Sequence, residues 1–141
     1  MNINSDIDYF EKVDISKEKE YPIFLKAIKF DNFRHIPSLY IEFKNPISVI
    51  SGTNRTGKTT ILMAIACSHL NFYRRNPKNG NLERNTWSSL MKFTPHDKQD
   101  KDWTYFITYK RGKKIDKPKR GQRKATTAKW NGIGKKESQF D

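Results

Sequence analysis

The chain has 141 residues, of which 35% are hydrophobic, and a formal net charge of +13 at pH 7. So little apolar material supports only a modest core; no run approaches the roughly twenty apolar residues that cross a bilayer, and the lone cysteine, Cys67, excludes an intrachain disulfide or a cysteine metal cluster. A basic excess of this size favours a polyanionic partner.

Residues 1–20 form a slightly acidic leader, with six acids against three lysines and without the basic-then-apolar layout of a signal peptide. A cytoplasmic location, with no membrane contact, is the simplest expectation. The stretch from Phe24 to Ile36 then reads as a first strand, and Leu39, Ile41 and Phe43 alternate along a second. After Pro46, the β-branched run Ile47-Ser48-Val49-Ile50-Ser51 reads as a short buried strand. Ile61, Leu62, Ile65, Ala66 and Leu70 recur at spacings of three and four, as one face of an amphipathic helix should. Asn71 and Asn76-Pro77 lie where that helix would stop.

Residues 76–102 are polar and rich in turn signals, with one short helix around Trp87, Leu90, Met91 and Phe93. Trp103, Tyr105, Ile107 and Tyr109 then alternate with Thr104, Phe106, Thr108 and Lys110, which predicts a half-buried antiparallel strand. From Lys110 to Lys136, twelve Lys or Arg stand against one acid, Asp116, and this tract reads as a basic loop. It either contacts DNA or RNA, releasing condensed counterions, or is simply solvated. Trp130 and Phe140 beside it either stack on bases or pack against another domain. Cys67, set among small residues in the predicted helix, reads as a packed thiol, and the three histidines show no ligand spacing.

The segment Gly52-Thr53-Asn54-Arg55-Thr56-Gly57-Lys58-Thr59-Thr60 fits G-x-x-x-x-G-K-[ST], a loop that turns backbone N–H groups inward to cradle phosphates. The pattern alone is short, and a Gly-Lys-Thr turn in an ordinary loop is the bland alternative. Its position between a predicted strand and a predicted helix makes the phosphate reading stronger. In that reading Gly52 and Gly57 permit close approach, Lys58 reaches the β- and γ-phosphates of ATP, and the Thr59 hydroxyl ligates Mg²⁺. Thr60 adds a group at the α-phosphate, and the positive end of the helix dipole supports the same site.

The first strand ending in Asn32-Phe33-Arg34, the alternating second strand and a loop with Asn54 at its third position resemble the opening of ABC-type ATPase heads. These include the SMC, RecF and OLD-like families, and the resemblance runs over about residues 22–75. It implies an α/β fold: the N-terminal part of a P-loop NTPase with a mixed sheet and a P-loop helix, an incomplete domain over residues 21–141. It also implies that Arg34 reaches the phosphates, the alternative being a solvated turn residue. Further implications are a second ATPase subunit joined through the nucleotide, DNA handling and an effector nuclease partner. One departure is Arg55, where many such heads have glycine because the backbone needs a positive φ. Either Arg55 reaches a phosphate or a partner subunit, or the loop is strained and inactive.

Hydrolysis in this class also needs an apolar strand ending in Asp-Glu and a Leu-Ser-Gly-Gly-like signature, and neither occurs in the sequence. Val13-Asp14 is the nearest approach to the first, but it lies ahead of the loop. Gln122 and Gln139 are weak candidates for a Mg²⁺-sensing glutamine. The expectation is therefore an ATP-binding lobe that hydrolyses little alone and exposes apolar surface. The alternative is a small non-catalytic nucleic-acid-binding protein using its basic tail, with a vestigial P-loop.

Overall fold

The computed structural model of the protein describes residues 23–45, 47–69, 72–92 and 101–132. The chain runs β1 (Ile23–Phe33), β2 (Ile36–Glu42), α1 (Lys58–Cys67), β3 (Tyr73–Arg75), β4 (Leu82–Arg84), α2 (Trp87–Leu90), β5 (Trp103–Arg111), β6 (Lys114–Ile115), β7 (Lys119–Arg123) and β8 (Trp130–Asn131). The main sheet has the order β2-β1-β5-β7-β8, with β6 paired to β5, while β3 and β4 form a separate hairpin. Every pairing among the described residues is antiparallel. The mixed sheet expected from the sequence is thus not formed within them.

Two-residue alternation builds the core. In β5 the residues Trp103, Tyr105, Ile107 and Tyr109 are buried while their neighbours are half-exposed, as a strand with one covered face requires. Register places Tyr105 beside Phe30 and Ile107 beside Ile28, so the rings and branched chains of β1 and β5 meet on one face. Asn32 interrupts the alternation. Its φ of 49°, a conformation asparagine tolerates better than most residues, brings Phe33 round to the same cluster, 4.9 Å from Phe30 and 5.6 Å from Trp103. Trp87 of α2 stacks on Tyr105 at 4.0 Å, held by a capping box in which Thr86 and Ser89 exchange hydrogen bonds. Helix α1 lays Ile61 and Ala64 on this face, and the Tyr109 hydroxyl donates to the Ser68 carbonyl at its C-terminal end.

Several sequence expectations are corrected here. The tract from Lys110 is not a loop: it completes β5 and forms β6, β7 and β8. Its strand character was hidden because β7 needs no large apolar residue. Tyr105 lies across Gly121 so closely that a Cβ there would stand 1.9 Å from the ring. Arg123, only 5% exposed, spreads its guanidinium over Trp103 at 5.3 Å. Trp130 packs within this chain, 5.4 Å from Trp87; Phe140 lies outside the described residues.

The run Ile47–Ser51 is the second correction. It has no strand pairing, and Val49 is 88% exposed. A strand is fixed by hydrogen-bonded neighbours, and the described strands present none to it. The exposed apolar surface expected from the sequence does occur, at Ile47, Val49 and Leu62. Helix α1 is also shorter and turned differently: it ends at Cys67, buries Thr60, Ile61 and Ala64, and leaves Leu62 outward. Leu70 and Asn71 lie outside the described residues. The hairpin β3–β4, closed by Asn76 N–H donating to Asn81 O and Gly80 N–H to Asn76 O at 2.8 Å each, occupies a stretch read only as breakers.

Candidate functional site

Residues 52–60 form a loop that ends directly in α1. Gly57 is the N-cap, with φ 92° and ψ 7°, and no side chain caps the helix. The amide groups of the first helical turn thus lack side-chain partners at the positive end of the helix, which suits an anion. Glycine at 57 has two structural reasons. A left-handed backbone is one. The other is the tip of the β1–β2 hairpin: a Cβ at 57 would stand 2.9 Å from His35 Nε2 and 3.2 Å from Ile36 Cδ1.

The hairpin tip therefore sets the height of the loop. Phe33 pairs with Ile36, leaving Arg34-His35 as a two-residue connection, and Arg34 has a φ of 55°. Such tight connections need a positive φ, which glycine or asparagine ordinarily supplies. Buried Ile36 presses on Gly57 from beneath, while exposed His35 stands beside it.

A cleft of about 470 Å³ opens here, lined by His35, Asn54, Arg55, Gly57, Lys58, Thr59 and Thr60. Most of the residues picked out by the sequence motif are thus brought together. Thr59 is exposed at the second position of the helix, and Thr60, 4% exposed, forms the inner wall. Gly52 and Thr53 contribute carbonyls: the Lys58 ammonium donates to Gly52 O at 2.7 Å and also to Thr53 O. Thr56 Oγ1 donates to Thr53 O at 2.9 Å and braces the turn. Arg55 has a φ of 66°, so the departure from glycine noted in the sequence coincides with a left-handed backbone.

Arg34 lies elsewhere. It lines an adjoining cavity of about 190 Å³ with Asn32, His35, Pro37, Lys101 and Trp103, and His35 is the wall shared by the two spaces. His35 was not singled out by sequence reasoning. Its signal was available in the two-residue spacing between Phe33 and Ile36, which forces residues 34 and 35 to the hairpin tip.

The cleft offers a phosphate chain one ammonium, one guanidinium, an imidazole and the amides of a helix start, and the donor set fits that chemistry. For a cation it offers the Thr59 hydroxyl; no group of three or more His, Cys, Asp or Glu able to hold a metal occurs among the described residues. Cys67 takes no part. Burial pushes its thiol up to about 12, which keeps it protonated and a poor nucleophile, in line with the packed thiol read from the sequence. Gln122 donates to Asp102 Oδ2 at 2.8 Å, on β7 rather than on the cleft, and Gln139 lies outside the described residues. No helix among the described residues is long and apolar enough to cross a membrane.

Over 67 residues the chain is 37% identical to the DNA replication and repair protein RecF of Oenococcus oeni, covering 48% of this chain and 17% of that protein. Over 64 residues it is 36% identical to the RecF of Francisella tularensis subsp. novicida, covering 45% of this chain and 18% of the relative. The matched part is thus less than a fifth of the length of these curated relatives. The family described as an AAA ATPase domain matches residues 24–139, most of the sequence and all of the described strands from β2 onward, and this chain belongs to that family.

Proposed function

We propose that the Gly52–Thr60 loop is a working Walker A motif that binds the phosphates of ATP with Mg²⁺, and that the chain serves as the nucleotide-binding lobe of an ABC-type ATPase acting on DNA. The observation that carries this is the cleft: Lys58, Arg55 and Thr59 converge with an uncapped helix start where a glycine lets the chain approach closely. Lys58 would leave the carbonyls of Gly52 and Thr53 for the β- and γ-phosphates, and Thr59 would take the Mg²⁺. His35 would close the cleft from the hairpin side. Arg34, one residue earlier, would reach a phosphate only with a change at the hairpin tip.

Completing such a site needs more than these residues supply. In the proposed whole, segment 47–51 gains its sheet neighbours, the catalytic Asp-Glu strand joins beside it, and a second subunit closes over the nucleotide. The RecF relatives, described as DNA replication and repair proteins, and the net charge of +13 support DNA as the polymer handled. An effector nuclease is a further partner that this reading accommodates.

Titration calorimetry with Mg-ATP tests the proposal. Wild type binds, and Lys58→Ala loses a charged contact of about 1.5–3 kcal/mol, weakening affinity roughly tenfold to a hundredfold. Equal affinity in the two proteins would show that the loop is vestigial and would favour a non-catalytic nucleic-acid-binding protein. The basic tract cannot simply be deleted to test that alternative, because β7 and β8 belong to the sheet.

A further inference from the structure

We propose that the sheet face turned away from α1 binds single-stranded DNA, with Tyr40 and Phe106 as base-stacking platforms and Lys29 and Arg120 as phosphate contacts. Register places Tyr40 opposite Lys29, Lys29 opposite Phe106, and Phe106 opposite Arg120. One row thus reads aromatic, cation, aromatic, cation across β2, β1, β5 and β7. Adjacent strands lie about 4.8 Å apart, so the two rings stand roughly two strand spacings from each other with an ammonium between them.

The row lies on the face opposite the core. Its members alternate with the buried Ile28, Phe30, Tyr105 and Ile107, and no described helix covers it. Tyr40 is 63% exposed. A cavity of about 280 Å³ opens between Tyr40 and Phe106, so the surface is concave where a flat base would enter. Lys29 Nζ sits 5.4 Å from the Phe106 centroid, so ammonium and ring already form a cation–π pair within the row.

Charge favours a polyanion. Among the described residues the carboxylates of this face each meet a lysine: Asp31 meets Lys29 at 3.2 Å, Glu42 meets Lys26 at 2.7 Å, and Asp102 at its margin meets Lys124 at 3.4 Å. Arg120 beside Phe106 adds a further positive charge to the face, and Lys113 and Lys117 extend that charge over the adjoining turns. Aromatic side chains on an open sheet face can stack on bases only when these are unpaired and splayed, whereas a duplex would offer them its phosphates alone.

This gives the DNA-handling part of the proposed function a surface and rests on it for the class of polymer, but it uses no residue of the Gly52–Thr60 loop. Fluorescence anisotropy tests it with three probes: an oligothymidylate long enough to cross the sheet, the corresponding oligouridylate, and a duplex of the same length. Wild type should bind oligothymidylate tightest. Tyr40→Ala, at an exposed position where folding is not at stake, should weaken that binding about tenfold while leaving duplex binding and ATP binding unchanged, and Tyr40→Trp should restore it. Arg120→Gln should lower the salt dependence. Tighter binding of the duplex or of oligouridylate, or Tyr40→Ala at wild-type affinity, would overturn the proposal. Loss of ATP binding in the wild-type protein would sink the nucleotide reading and leave this one standing.

Discussion

Strands β1, β5 and β7 bury Phe30, Trp103, Tyr105 and Tyr109 to within about a hundredth of full exclusion from solvent, whereas residues 47–56 leave Ile47 and Val49 exposed and hold Arg55 in a left-handed conformation. The two regions are stabilised by different means. In the sheet, apolar burial contributes about 1.5–3 kcal/mol for each large side chain, and antiparallel ladders satisfy the backbone within the described residues. Residues 47–56 join no ladder, and of their apolar side chains Ile50 packs against the core only in part. The loop is positioned at its C-terminal end, by Ile36 and His35 against Gly57 and by Ile61 under α1, and braced by the Thr56 and Lys58 bonds to the carbonyls of Gly52 and Thr53. A site whose shape is imposed from the hairpin tip and a helix start is free of the strand that the sequence places beneath it.

The largest expected effect therefore lies in the sheet and far from the cleft. In Gly121→Ala the new methyl would overlap the Tyr105 ring, which is itself clamped by Trp87. Neither neighbour can move cheaply, so the cost should reach about 3 kcal/mol, the upper end for over-packing. A urea midpoint unchanged by this substitution would mean that β5 and β7 do not pair as described. Substitutions at Val49, by contrast, should stay within about 0.5 kcal/mol, as at other exposed sites.

Legibility in the sequence follows the same division. Strand β5 could be read because four buried residues alternate with four half-exposed ones, a pattern that needs no tertiary information. The Gly52–Thr60 motif could be picked out because its spacing is local, and the fold gathers most of its residues at one cleft. Strand β7 could not: Lys-Arg-Gly-Gln-Arg carries no apolar side chain, and its place depends on the hollow that Gly121 leaves for Tyr105 and on the ring beneath Arg123. Segment 47–51 misled for the opposite reason. Its composition is that of a buried strand, but composition cannot supply a neighbour. The outer aromatic row was invisible because it depends on register across strands, whereas His35 could have been placed from the two-residue spacing between Phe33 and Ile36 alone.

A smaller effect sharpens how β7 is anchored. Asp102 accepts from Ala125 N and from Gln122 Nε2 at 2.8 Å each and faces Lys124 at 3.4 Å. The Ala125 amide, with the Lys124 and Arg120 charges behind it, holds this carboxyl below its usual range. A depressed carboxyl contributes stability that is complete above the unfolded value of about 3.9 and is lost as pH falls through the lower folded value. The β7–β8 connection should thus hold through mildly acidic pH and loosen only below about pH 4. Asp102→Asn should flatten that acid limb of the stability profile, and an acid limb identical to wild type would assign it to other carboxylates.

The smallest effect probes the loop itself. At a φ of 66°, a non-glycine residue gives up about 1–2 kcal/mol relative to a right-handed backbone. Arg55→Gly removes that strain but adds conformational freedom to the unfolded chain, which offsets about 0.4–1 kcal/mol. The net gain should lie between about 0 and 1.6 kcal/mol, a rise in Tm of at most several degrees. Because Arg55 also lines the cleft, ATP affinity should fall severalfold in the same variant. A stabilised loop that binds nucleotide less well would show that the arginine was retained for the ligand against the preference of its own backbone. A Tm that falls instead would show that the left-handed turn is supported by the Arg55 side chain, in addition to the Thr56 and Lys58 bonds to the carbonyls of Gly52 and Thr53.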